Sequence, residues 1–171
     1  MGAGGINFKG SEAGLNMMGV IKRENLEKKD FSDFNIKEVT ELLKNHITDK
    51  LNYENSYCNT DEEKELYFSE LFPERYADVV LLVAEYFVEY LENGGFVLWT
   101  FERFNKPRRR NIDVFTYTAD DLKKLLSDLQ GAIKTRKENA VQFKKADTKK
   151  WLAYVKEKYM IIENELKKID S

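Results

Sequence analysis

Residues 96–118 read FVLWTFERFNKPRRRNIDVFTYT, and no other stretch limits the possible folds as tightly. Two runs rich in aromatic and β-branched residues flank Lys106-Pro107-Arg108-Arg109-Arg110. Such residues favour a pleated, half-buried backbone, and a loop of about five residues is within the range that hairpins use. Placing Asn105 opposite Asn111 sets Arg103 against Asp113, Phe101 against Phe115, Thr100 against Thr116 and Trp99 against Tyr117. Each pair contributes roughly 0.2–1 kcal/mol, and a slip of one residue breaks most of them. Both faces are partly apolar, and a lone hairpin is marginal in water. The stretch therefore predicts one long antiparallel β-hairpin packed against helices.

The rest of the chain carries helical periodicity. Ile36, Val39, Leu43, Ile47 and Leu51 recur at helical spacing behind an Asn35/Glu38 capping pattern. Thr60 with Glu63 opens a second helix to about Leu71, and Pro73 is expected to end it or to start the next. The segment 74–91 is the most apolar. It places Val79, Leu82, Val83, Tyr86, Phe87, Tyr90 and Leu91 on one broad face that Val80 and Leu81 widen, and Gly94-Gly95 closes it. This helix is expected to be the central buried element. Thr118 and Asp121 start a helix from about Ala119 to Phe143, with Leu122, Leu125, Leu126, Leu129 and Ile133 as its apolar stripe.

Asp147 is expected to cap a last helix to about Ile169. Its Leu152, Val155, Tyr159, Ile162, Leu166 and Ile169 alternate at spacings of three and four. That seam suits antiparallel packing on the preceding helix, or a homodimer through Leu152, Val155, Tyr159, Ile162 and Leu166. The expected fold class is α+β: a helix-dominated single domain over residues 21–171, with about five helices and the hairpin packed against them. Residues 1–20 hold six of the nine glycines and are expected to form a flexible leader, with Met17 and Met18 as alternative starts. Val20 to Leu26 is expected to add a short edge strand.

Charge is distributed unevenly. Residues 54–102 carry 12 acidic and 2 basic side chains, and residues 103–150 carry 14 basic and 6 acidic ones. The two blocks either pair with each other or present separate binding faces. Cys58 is the single cysteine, which excludes a disulfide within the chain and fits a reducing, cytoplasmic setting. No apolar run reaches the roughly 18 residues of a membrane span, and the N-terminus lacks the basic-then-apolar order of a signal peptide. Richness in Lys, Asn, Ile, Tyr and Phe suggests AT-rich coding, as in a low-GC bacterium or its phage.

Catalytic patterns are sparse. His46 is the single histidine, and no Gly-x-Ser-x-Gly elbow accompanies it. One Cys and one His do not make a common zinc site, and no phosphate loop follows a strand. No enzymatic activity, cofactor or metal is expected. A carboxylate-based metal nuclease, with Glu102 and Asp113 near the basic tip, is the catalytic alternative.

The function expected from the sequence is a non-catalytic protein-interaction module: an inhibitor, adaptor or regulatory subunit. Its arginine tip would meet an acidic pocket, or its acidic helices would meet a basic channel as a nucleic-acid mimic. The alternative is a winged-helix-like nucleic-acid binder whose hairpin contacts phosphates. The candidate contact residues are Lys106, Arg108, Arg109 and Arg110, then Lys134, Arg136 and Lys137.

Overall fold

The computed structural model of the chain describes residues 19–20, 33–101, 107–112, 114–138 and 145–170. Among them are four long helices: α1 (Ile36–Glu54), α2 (Asp61–Asn93), α3 (Ala119–Glu138) and α4 (Lys145–Asp170). A 3-10 turn (Asn55–Tyr57) follows α1. The strands are β1 (Asp33–Asn35), β2 (Phe96–Phe101), β3 (Pro107–Ile112) and β4 (Val114–Thr116).

Helix starts are set by local chemistry. Asn35 is extended, and its Oδ1 accepts from the Glu38 N–H at 3.0 Å. The Thr60 hydroxyl accepts from the Glu63 N–H at 3.1 Å, while the Glu63 carboxylate accepts from the Asn59 N–H at 3.0 Å. Thr118 and Asp121 exchange the same two bonds at 3.1 and 3.0 Å. Each pattern satisfies amides that a helix start leaves without partners. Gly94 ends α2 in the left-handed conformation, φ 72°, with its N–H bonded to the Tyr90 carbonyl at 2.8 Å. Glycine reaches that region without the steric cost other residues meet.

The core surrounds the second half of α2. Every residue from Val79 to Val88 is buried. A helix enclosed on all sides needs a partner on each, and α2 packs against α1, α3 and α4, with α3 in turn on α4. Ile36, Val39, Leu43, Ile47 and Leu51 come from α1, Leu122, Leu125, Leu126 and Leu129 from α3, and Val155 and Ile162 from α4. The α4 seam thus turns Val155 and Ile162 into this chain's own core. Glu85 is buried within it, and the Tyr154 hydroxyl of α4 donates to its carboxylate. Among the described residues, no helix is long and apolar enough to cross a membrane.

The expected hairpin and helix count are corrected. The strand pair packed on the helices is a two-stranded parallel sheet, β1 beside β4, with Asp33 opposite Val114, Phe34 opposite Phe115 and Asn35 opposite Thr116. Phe115 therefore does not face Phe101. It is buried, with ring centroids 4.8 Å from Phe34 and 5.3 Å from both Phe87 and Tyr90. Burying a Phe side chain contributes about 1.5–3 kcal/mol, against roughly 0.2–1 kcal/mol for one cross-strand pair, so the core claims it. β2 and β3 pair antiparallel in another register: Phe101 opposite Pro107, Trp99 opposite Arg109 and Phe96 opposite Ile112. Arg108, Arg109 and Arg110 consequently lie on a strand and not in a loop.

Pro73 neither ends nor starts a helix; it lies inside the 33 residues of α2. An interior proline costs about 3 kcal/mol. The stacked rings of Phe68, Phe72 and Tyr76 run across it, with centroids 5.2 and 5.6 Å apart, and each such pair contributes roughly 0.5–1.5 kcal/mol. Asp147 is likewise inside α4, which begins at Lys145. Gly19 and Val20 are helical rather than the start of an edge strand, and Val20 joins the core. Residues 21–32, which hold the rest of that expected strand, lie outside the described residues, as do residues 1–18 and 139–144.

Phe115→Ala should cost about 3–5 kcal/mol in chemical denaturation, because it empties the space where the sheet meets α2. Thr116→Ala, on the solvent side of the same strand, should cost about 1 kcal/mol or less through loss of the Asn35 Nδ2–Thr116 Oγ1 bond of 2.8 Å.

Candidate interaction surface

The first half of α2 outruns the core. No residue from Asp61 to Asp78 is fully buried, so roughly 27 Å of helix lies beyond the fully enclosed segment. It runs beside the end of α1, and the two meet at an apex formed by the 3-10 turn and residues 58–60. Arg75 fastens the pair with two hydrogen bonds to the Glu54 carboxylate, at 3.0 and 2.8 Å. The Tyr67 hydroxyl donates to the same carboxylate at 2.9 Å. The hydrogen bond from Arg75 holds the Glu54 carboxyl below its ordinary range, against the opposing effect of burial. Asn55 is buried at the turn, and its carbonyl accepts from the Cys58 N–H at 2.9 Å.

Three large apolar side chains stand out on this end. Tyr53 is 69% exposed, Tyr57 77% and Leu66 58%. The tyrosine rings meet edge to face at 6.2 Å, which orders them without covering them. Around them Asp61, Glu62, Glu63, Glu65, Glu70 and Glu74 are exposed. The inner stripe of this half is Tyr67, Phe68, Leu71, Phe72 and Tyr76, all half-buried. Leu66 falls outside that stripe, and this was the signal available in the sequence. The aromatic character of residues 53–59 was also legible there, but not its exposure.

A smaller cleft, of about 220 Å³, lies between the starts of α1 and α3, which the parallel strands β1 and β4 deliver side by side. Ile36, Val80 and Leu125 give it apolar walls, with Lys37, Glu41 and Asp120 among its polar lining. Lys124 on its edge donates to the Asp128 carboxylate at 2.8 Å and to the Tyr76 hydroxyl at 3.0 Å. Burial alone would lower the Lys124 ammonium's pKa, but these two bonds outweigh it and hold it above the ordinary lysine range. Its charge is therefore already matched within the fold.

The residues singled out from the sequence lie elsewhere. Lys106 is outside the described residues. Arg108, Arg109 and Arg110 face Thr100, Trp99 and Leu98 across the β2–β3 pair. Lys134 and Lys137 are exposed near the end of α3. Arg136 is engaged inside the chain, its guanidinium 5.4 Å from the centre of the Trp151 ring. His46 is half-buried on α1. Glu102 and Asp113 are outside the described residues. No family model matches this chain, and no curated protein and no solved structure matches it.

Asp78 marks where the overhanging half of α2 enters the core. Burial, then Glu74 one turn earlier, push its carboxyl up to about 7, against Arg136 and Arg75. A carboxyl whose folded pKa lies above its unfolded value binds more protons when folded. Its penalty is therefore absent below the ordinary aspartate value of 3.8 and grows until pH passes about 7. Asp78→Asn should raise the melting temperature at pH 8, and that advantage should shrink steadily as pH falls toward 4. Arg75→Leu should act locally: hydrogen exchange should accelerate at Glu54–Tyr57, while global stability changes by about 1 kcal/mol or less.

Proposed function

We propose that this chain is a non-catalytic protein-interaction module, an inhibitor, adaptor or regulatory subunit, that docks its partner through the α1–α2 apex. The observation that carries the reading is the exposure of Tyr53 and Tyr57 at the apex, and of Leu66 on the first half of α2, on a helix pair that Arg75 and Glu54 hold in place. Tyrosine is enriched where protein interfaces concentrate their binding energy, because it offers a large apolar body with a polar tip. A surface that is already ordered loses little conformational freedom on binding. The carboxylates around it favour a protein over a nucleic acid as partner at this face, since phosphates would be repelled. The single cysteine, Cys58, supports placing this action in a reducing cytoplasm.

Affinity capture from source lysate with the tagged full chain tests the reading. Wild type should retain a stoichiometric protein partner. A Tyr53→Ala/Tyr57→Ala/Leu66→Ser variant with an unchanged melting temperature should lose it. Capture of no stoichiometric partner, or equal capture by the variant, would overturn the assignment.

A further inference from the structure

The partner's chemistry is written on the same surface. Glu62, Leu66, Glu70 and Glu74 follow one another every four residues along α2, so they form one ridge with steps of about 6 Å. All four are exposed. Leu66 thus sits between two carboxylates, one turn to either side. Asp61 and Glu65 add charge on the flank. Among the described residues, no lysine or arginine forms an ion pair with Glu62, Glu65 or Glu70. From Asp49 to Arg75 the chain holds eight acidic and three basic side chains, and Arg75 is already committed to Glu54. The acidic excess is therefore carried mostly by exposed carboxylates at this end of the molecule.

We infer that this ridge docks a basic protein surface: one that presents arginine or lysine side chains around an apolar notch that takes Leu66, with Tyr53 and Tyr57 covering its edge. Arginine suits the role, because its planar fork meets a carboxylate in two bonds and stacks on tyrosine rings. Such a partner surface has the character of a nucleic-acid-binding groove, so the chain would compete with nucleic acid for it. Charge complementarity of this kind speeds association and makes it sensitive to salt. The inference rests on reading the apex as a docking face. A partner captured through Tyr53, Tyr57 and Leu66 whose binding ignores salt ends the charge argument alone, whereas loss of that capture ends both.

The test uses the full chain and a labelled peptide in which arginines flank a leucine, read by fluorescence anisotropy at low salt and at roughly 0.15 M salt. Wild type should bind at low salt and weaken by about tenfold or more at the higher salt, as steered, charge-dominated pairs do. Glu62→Gln/Glu65→Gln/Glu70→Gln should lose most of that binding, while Glu138→Gln/Glu157→Gln, changed at exposed positions on α3 and α4, should retain it. Tyr53→Ala/Tyr57→Ala should weaken binding at both salt concentrations by a similar factor. Circular dichroism melts confirm that each variant is folded.

No binding at low salt, or equal binding by the Glu62/Glu65/Glu70 variant, would overturn the proposal. Analytical ultracentrifugation of the chain alone supplies the last arm. Salt-sensitive self-association that the same variant abolishes would assign the ridge to a second copy of this chain and overturn a basic partner.

Discussion

Ten consecutive residues of α2, Val79 to Val88, are buried, and the remaining structure is arranged to enclose them. An amphipathic helix needs cover on one side only, but this segment is apolar around its whole circumference except for Glu85. α1, α3 and α4 supply three sides, and the β1–β4 pair brings Phe34 and Phe115 to another. Glu85 shows how strict the enclosure is. A carboxylate inside it must have a partner, and the Tyr154 hydroxyl of α4 donates to it. The same bond ties α4 to the centre of the fold.

Because one helix serves both as core and as projection, the apex inherits its rigidity from the core. The overhanging half has no fully buried residue, only a half-buried inner stripe. It is held by the stacked rings of Phe68, Phe72 and Tyr76 and by the Arg75–Glu54 clamp to α1. A helix that continues past its core presents side chains at defined spacing to solvent without a separate folded unit beneath them. That is the physical basis for reading Tyr53, Tyr57, Leu66 and their surrounding carboxylates as a contact surface rather than as loose chain.

The sequence was most legible where a local rule and the tertiary packing agreed. The three capping patterns at Asn35, Thr60 and Thr118 start the helices at those positions, and Gly94 closes α2 as expected of a left-handed terminus. The apolar stripe of α1 is the stripe that the core buries. Local rules failed where long-range burial outweighed them. Pro73 reads as a break, yet the helix passes through it. The run Val114 to Thr116 reads as the second arm of a hairpin, but Phe115 gains more from Phe34, Phe87 and Tyr90 than from a strand partner. The basic tip attracted attention by composition, whereas the candidate surface is acidic and aromatic. Exposure is what sets its tyrosines apart, and exposure depends on packing between helices.

By itself the sequence determined where α1, α2 and α3 start and which stripe of α1 is buried. Capping bonds span three or four residues and apolar periodicity spans one helix, so both are properties of contiguous chain. Tertiary structure alone decided which strand lies beside β4, where Arg108 to Arg110 lie, and which part of α2 is left uncovered. Those outcomes compare burial against pairing between segments far apart in sequence: Phe34 with Phe115, and Glu54 with Arg75. Leu66 and Leu82 are the same residue type on the same helix. Only the extent of α1, α3 and α4 around them places one in the core and leaves the other facing solvent.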